Sequence, residues 1–185
     1  MTNANNIIPI EFYNEDTLTV AKNLLGSILH HKTSEGPVLS GIIVETEAYT
    51  QNDPACHAFR GKTPRSSTLF GPCGRAYVYL IYGMYHCFNV VAEPEDTAGA
   101  VLIRALEPIH PLTNTNGPGR LCKSMKITKE LNEVDLTTIE SPLFITYGDK
   151  IPKNKIKETT RIGIKVATDY KWRFYIKDNA HVSIK

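Results

Sequence analysis

Residues 75–91 read Arg75-Ala76-Tyr77-Val78-Tyr79-Leu80-Ile81-Tyr82-Gly83-Met84-Tyr85-His86-Cys87-Phe88-Asn89-Val90-Val91, and this stretch decides the fold class. Aromatic and β-branched residues fill both sides of Gly83-Met84, which predicts a hairpin with Tyr82 at or near its tip. Hairpin strands run antiparallel. Working outward, residues 40–49 read as a strand, and residues 100–106 as another, with Arg104 among apolar neighbours. Residues 172–176 and 181–184 read as two closing strands around the turn Lys177-Asp178-Asn179. Residues 14–28 keep helical spacing at Leu18, Ala21, Leu24, Leu25 and Ile28, with Asn14 or Asp16 as cap and Gly26 near the end. Pro118 opens a second helix through Leu121, Cys122 and Met125. Residues 51–74, rich in Pro, Gly, Thr and Ser, form a long loop, of the kind that is usually functional or disordered. Helices bracket a run of strands without regular βαβ alternation. The expected fold is α+β: a mainly antiparallel curved sheet with surrounding helices and a protruding β-hairpin, in one compact domain over residues 1–185.

Composition narrows the function classes. The chain has 185 residues, 42% hydrophobic and 22% charged, which excludes collagen-like, coiled-coil and wholly disordered chains. No apolar run approaches the ~20 residues needed to span a bilayer. Residues 1–10 lack the basic and apolar regions of a signal peptide. A cytoplasmic protein is expected, nucleoid-associated in a bacterium or nuclear in a eukaryote. Cys56, Cys73, Cys87 and Cys122 lie far apart and read as reduced thiols. The adjacent pairs Cys56-His57 and His86-Cys87 raise a zinc site, but structural zinc ligands usually come as C-x₂₋₄-C or H-x₃₋₅-H.

Charge is unevenly distributed. Residues 1–149 carry 11 basic and 16 acidic side chains, whereas residues 150–185 carry 10 basic and 3 acidic. No acid stands between Asp53 and Glu93, where Arg60, Lys62, Arg65 and Arg75 fall. Such segments suit a phosphate-facing surface, although charge alone favours a solvated face.

Three places hold reactive groups. On the strand 40–49, period two puts Ile43, Glu45, Glu47 and Tyr49 on one face. Two carboxylates at i and i+2 lie side by side, so burial requires one to be paired or proton-shifted. A carboxylate among aromatics suits general-base activation of water; two exposed strand glutamates have the same spacing. In the hairpin, Tyr77 and Tyr79 share a face and Tyr82 does not. One tyrosine can then line a pocket while another leads into a duplex, or all can be sheet core. Arg104 is either on an exposed face or paired with a buried acid, for which Glu45 or Glu47 would serve. His57 follows Tyr49 by one loop and can reach over the same pocket.

The order of these signals is specific. Val44-Glu45-Thr46-Glu47-Ala48-Tyr49 is followed by Asp53-Pro54-Ala55-Cys56-His57-Ala58-Phe59-Arg60-Gly61 and Thr63-Pro64-Arg65. Then come Tyr77-Val78-Tyr79, Tyr82-Gly83-Met84 with Asn89, Ala98-Gly99-Ala100-Val101-Leu102-Ile103-Arg104-Ala105 and Gly117-Pro118-Gly119-Arg120-Leu121-Cys122. The chain resembles the alkyladenine DNA glycosylase family, also called 3-methyladenine DNA glycosylases, from the first helix to His181-Val182-Ser183.

That resemblance implies an activity and a set of roles. Such an enzyme flips alkylated or deaminated purines (3-methyladenine, 7-methylguanine, hypoxanthine, ethenoadenine) out of double-stranded DNA and hydrolyses the N-glycosidic bond, leaving an abasic site. Glu47 falls on the general base, and Arg104 on the arginine that helps hold the water. Tyr49 and Tyr79 stack on the extruded base from opposite sides, and His57 contacts it. Asn89 guards the pocket against guanine's amino group. Tyr82 fills the gap left in the duplex. Arg60, Lys62, Arg65, Arg120 and the basic C-terminal segment become phosphate contacts. No lysine adjoins Glu47, so a water nucleophile without strand cleavage is expected, in a monomer with no cofactor, no metal and no membrane association. A non-catalytic nucleic-acid-binding module and a small-molecule nucleosidase are the competing readings. The first gives Glu47 and Asn89 no task, and the second gives none to a tyrosine at a hairpin tip.

Overall fold

The computed structural model describes residues 6–34 and 36–184. Half of the polar N-terminal stretch, and Lys185 of the basic C-terminal segment, lie outside the described residues. The short helix α1 spans Ile10–Tyr13 and α2 spans Thr17–Asn23. The strands are β1 (Ile28–His31), β2 (Leu39–Thr50), β3 (Ala76–Ile81), β4 (Tyr85–Ala92), β5 (Gly99–Ile109), β6 (Leu143–Thr146), β7 (Ile156–Thr159) and β8 (Arg173–Ile176), with helix α3 at Pro118–Ser124. The eight strands form one curled antiparallel sheet in the order β3-β4-β5-β2-β1-β6, with β8 on β2 and β7 on β8. The fold is α+β, as the sequence predicts. No helix among the described residues is long and apolar enough to cross a membrane.

The predicted helix 14–28 is shorter than its periodicity. Asp16 caps α2 by accepting from Thr19 N at 3.0 Å, a contact typically contributing about 0.5–2 kcal/mol. Gly26, at φ +88°, turns the chain out of the helix, in a space where a Cβ would lie 2.1 Å from the Asp149 carbonyl. Ile28, the last apolar residue of the helical pattern, instead opens β1 between β2 and β6. The buried face of α2, with Val20 and Ala21, packs on β2, and Thr46 donates its hydroxyl proton to Ala21 O at 2.8 Å. Leu24, Leu29, Ile43, Phe88, Ile103 and Phe174 belong to the main core, each fully buried side chain contributing about 1.5–3 kcal/mol.

The strand 40–49 does not alternate uniformly. Ile43 pairs with Leu106, Glu45 with Ala105 and Thr46 with Ile103, so Val44 on β2 and Arg104 on β5 each stand outside the ladder. The register resumes unchanged beyond them, but the core side of β2 switches from Leu39 and Ile43 to Ala48. Ile43 therefore belongs to the core rather than sharing a face with Glu45 and Glu47. At the same place β2 exchanges its outer neighbour, from β1 to β8.

The hairpin is β3-β4, with Ile81 opposite Tyr85. Tyr82 (φ 53°) and Gly83 (φ 70°) occupy the turn centre, and Met84 N donates to Ile81 O at 3.3 Å, the pattern of a type I′ turn. The loop 51–74 is built from successive turns, including Cys56 N to Asp53 O at 2.8 Å and Gly61 N to Ala58 O at 2.8 Å. Beneath it Cys56, Leu69, Phe70, Val91, Ala98 and Ala100 make a second, smaller core against which Tyr49 and Tyr79 pack. Residues 181–184 are not a strand. Ser183 instead turns its N–H onto the Glu45 carboxylate, so a carboxylate and not a neighbouring strand takes that donor.

Candidate active site

A cavity of about 650 Å³ opens between the hairpin, α3 and the loops around residues 57 and 163. Arg104 of β5 lines it, and behind Arg104 stand two carboxylates of β2. Glu47 is fully buried, with Oε1 accepting from Ile162 N at 2.8 Å and Oε2 from the Tyr49 hydroxyl at 2.7 Å. Arg104 Nη1 lies 3.3 Å from Glu47 Oε2, and its Nε lies 3.5 Å from Glu45 Oε1. Arg104, which stands outside the β-ladder, thus contacts both carboxylates. Glu45 is also fully buried, but it is satisfied elsewhere. Arg173 Nη1 donates to Oε1 at 2.7 Å and Ser183 N to Oε2 at 2.7 Å. Burial was expected to leave one of the two glutamates paired or proton-shifted; both are paired, each with its own donors.

Aromatic rings form the walls. Tyr49, His57, Tyr77 and Tyr79 all line the cavity. The His57 and Tyr79 rings meet edge-on at 4.7 Å, and Tyr77 and Tyr79 lie 5.4 Å apart. His57 Nδ1 is 2.9 Å from the Tyr77 hydroxyl, which also takes a hydrogen bond from Arg65. Burial, with the Arg65 charge second, lowers His57 to about 4, so its imidazole is neutral at pH 7. Burial, with the Glu47 carboxylate next, holds the Tyr49 hydroxyl far above its ordinary value and keeps its proton in place. Burial pushes Tyr77 up to about 12. Asn89 is buried at the cavity edge and donates from Nδ2 to the Tyr77 carbonyl at 3.2 Å. Tyr82 stands at the rim, 80% exposed.

The basic residues divide. Arg120 lines the cavity mouth, is exposed, and donates to Asn116 Oδ1 at 3.1 Å. Arg65 is exposed with its guanidinium carbon 5.5 Å from the Tyr79 ring centre. Arg60 and Lys62 are exposed on the loop and do not line the cavity. The basic C-terminal segment is not uniformly available to phosphate. Arg161 and Arg173 are buried in ion pairs with Asp53 and Glu45, because acids inside the fold need cationic partners. Arg161, Asp53, Arg173 and the Ile162 N–H escape a reading of sequence alone. The usable signals were Asp53, the acid that opens the acid-free stretch, and Arg161 beside Ile162-Gly163-Ile164. Among the described residues no group of three or more His, Cys, Asp or Glu side chains is placed to hold a metal ion.

A buried carboxylate paired with an arginine thus adjoins a cavity walled by aromatic rings, with an exposed tyrosine at its rim. Residues 11–180 match the family described as "Methylpurine-DNA glycosylase (MPG)". A "Putative 3-methyladenine DNA glycosylase" of Carboxydothermus hydrogenoformans is 46% identical over 192 residues, covering 97% of this chain and 100% of its own. Proteins of the same name from Sodalis glossinidius and Methanoculleus marisnigri are 49% and 43% identical, covering 92% and 95% of this chain and 97% and 98% of theirs. The chain belongs to the methylpurine-DNA glycosylase family. It is a DNA glycosylase, a DNA-binding enzyme of alkylation-damage repair.

Proposed function

We propose that the chain acts as a monomeric single domain that flips alkylated or deaminated purines, among them 3-methyladenine, 7-methylguanine, hypoxanthine and ethenoadenine, from duplex DNA and hydrolyses their N-glycosidic bond. A base inside a duplex is out of reach, and extruding it costs a few kcal/mol of unstacking. Tyr82 offsets that cost by filling the gap, a task its 80% exposure at the hairpin tip supports. The base enters between Tyr49 and Tyr79 and against His57. A purine methylated at N3 or N7 carries positive charge, so the rings attract it by about 0.5–2 kcal/mol beyond a normal base. A neutral His57 adds no repulsion to that cation. Asn89 narrows the slot against guanine's amino group.

The reacting bond joins the purine nitrogen to C1′ of the sugar. Its electron pair leaves with the base, which departs neutral when the nucleotide was cationic, and as an anion that takes a proton from solvent when the nucleotide was neutral, as with hypoxanthine. The sugar becomes oxocarbenium-like, and a water oxygen bonds to C1′ while its proton passes to Glu47. Oε2 of Glu47 is engaged by the Tyr49 hydroxyl and faces Arg104, whereas Oε1 takes only the Ile162 N–H. The lone-pair position left for water is on Oε1. Arg104 steadies the carboxylate and helps orient that water, and the negative charge opposes the developing positive charge at C1′. Arg60, Lys62, Arg65 and Arg120 take phosphates, with Arg65 and Arg120 nearest the cavity.

The observation that carries this reading is Glu47, a fully buried carboxylate held by Tyr49, Arg104 and the Ile162 N–H, all three of which border the cavity. Its test is single-turnover release of base from a duplex holding one hypoxanthine, by the parent and by Glu47→Gln. The variant should lose about 10²–10⁴-fold in rate while still binding the damaged duplex. Excision by Glu47→Gln at the parental rate would remove the general base. Binding without base release by the parent would leave a binding module, and release from free nucleoside alone a nucleosidase.

A further inference from the structure

Arg161 is a fully buried charged side chain just behind the site, and no step described above uses it. Its guanidinium forks onto Asp53, Nη2 donating to Oδ1 at 3.0 Å and Nη1 to Oδ2. Nη1 also donates to the Ala48 carbonyl at 2.9 Å, and Nη2 to the Ala167 carbonyl at 3.5 Å. The guanidinium carbon lies 4.6 Å from the Tyr49 ring centre and 5.2 Å from that of Trp172. These contacts converge on the catalytic groups from three directions. Ala48 stands between Glu47 and Tyr49 on β2. Asp53 opens the loop that carries His57. Ile162, the residue after Arg161, donates its N–H to Glu47 Oε1.

A buried ion pair is a weak source of stability, since apolar residues of similar volume often serve packing as well or better. What a forked guanidinium supplies, and an apolar side chain does not, is fixed direction. Here the direction matters because the Ile162 N–H donates to Oε1, the oxygen read above as the acceptor for water. We infer that Arg161 is a positioning residue for excision: its grip on Asp53 and Ala48 holds the Ile162 N–H against Glu47 and backs the Tyr49 wall. The inference rests on the reading of Glu47 given above. Rotation of residues 161–162 would free Oε1 to turn away from the sugar, so the loss should fall on the chemical step and pass through Glu47.

The experiment uses a duplex with one 7-methylguanine, whose cationic leaving group keeps slow variants measurable. Single-turnover excision is compared for the parent, Arg161→Met, Arg161→Lys and Asp53→Asn, each with Glu47 and with Glu47→Gln, all at the same interval below their own melting temperatures. With Glu47 present, Arg161→Met should lose about 10–100-fold, the worth of one hydrogen bond to a charged group. In the Glu47→Gln background the same substitution should change the rate by less than about threefold, because effects routed through one group are non-additive. Arg161→Lys should recover only part of the loss, having the charge without the fork. If Arg161→Met does not fold, Asp53→Asn carries the same comparison. Equal losses in both backgrounds, or a loss that disappears once melting temperatures are matched, would overturn the positioning role. Full activity of Glu47→Gln alone would instead overturn the general-base reading, so the two failures are distinct.

Discussion

Glu45 and Glu47 are two residues apart, equally buried, and differ in what surrounds them. Glu45 faces Arg173, the Ser183 N–H and Arg104, which together tie β8 and residues 181–184 to β2. Glu47 faces Tyr49, the Ile162 N–H and Arg104, all of them bordering the cavity. Arg104 is shared, so Glu45 also helps set the orientation of the guanidinium that meets Glu47. Glu45→Gln should therefore act first on stability. Breaking a buried pair on one side costs about 3–5 kcal/mol, and a milder exchange that keeps some hydrogen bonds should cost about 2–3. For a chain of this size that is roughly 4–12 °C in melting temperature. Its excision rate, measured below the melting range, should fall less than tenfold. Loss of chemistry in Glu45→Gln with a normal melting temperature would exchange the two roles.

The β3-β4 hairpin carries the tyrosine proposed to enter the duplex, and its tip departs from ordinary backbone geometry. Tyr82 adopts φ 53°, a region that a bulky residue seldom occupies and that costs of order 1–3 kcal/mol. Gly or Asn would sit there more easily, and the exposed ring is the one proposed above to fill the gap in the duplex. Tyr82→Ala should weaken binding to damaged duplex and slow flipping, while leaving the melting temperature within about 2 °C, since the ring buries little. A large drop in melting temperature that tracks the loss of binding would make Tyr82 part of the core. The hairpin was legible in the sequence because its signal is local: dense aromatic and β-branched residues interrupted by Gly83-Met84. The four-residue strands β1 and β6 were not legible, being too short for a period to show, and Ile28 continued the helical pattern. Nor was the irregularity at Val44 and Arg104, since it is a property of two strands together. Glu47, Tyr49, His57, Tyr79 and Asn89 were placed from the order of their blocks, and the cavity gathers all but Glu47 at its lining, with Glu47 reached through Tyr49 and Arg104.

Across the whole molecule the uneven charge of the sequence is partly consumed inside the fold. The C-terminal segment returns over the acidic remainder and pairs Arg161 with Asp53, Arg173 with Glu45 and Glu158 with Lys22. The arginines of that segment are therefore engaged in ion pairs inside the fold. A second group of buried polar contacts lies along the sheet, at β1. His30 Nδ1 is 2.8 Å from Ser40 Oγ and its Nε2 is 2.9 Å from Thr146 Oγ1, with the ring stacked 4.8 Å from Phe144. It joins β1 to both neighbours, β2 and β6. Burial lowers His30 to about 4, and burial together with Arg65 lowers His57 to about 4. A histidine in the unfolded chain titrates near 6.5. Between about pH 6.5 and 4 the unfolded chain binds protons that the folded one refuses, so stability from these groups is complete above pH 6.5 and is lost as pH falls toward 4. The melting temperature should decline steadily across that window, before the lowered carboxylates Asp16 and Glu140 begin to contribute at lower pH. His30→Asn keeps a polar side chain between Ser40 and Thr146 without a group that titrates there. It should melt below the parent at pH 7.5 yet lose distinctly less between pH 6.5 and 4.5, so that the two curves converge. Melting scans at half-unit intervals of pH measure this directly, and parallel curves would mean that His30 contributes nothing to the acid sensitivity of the sheet.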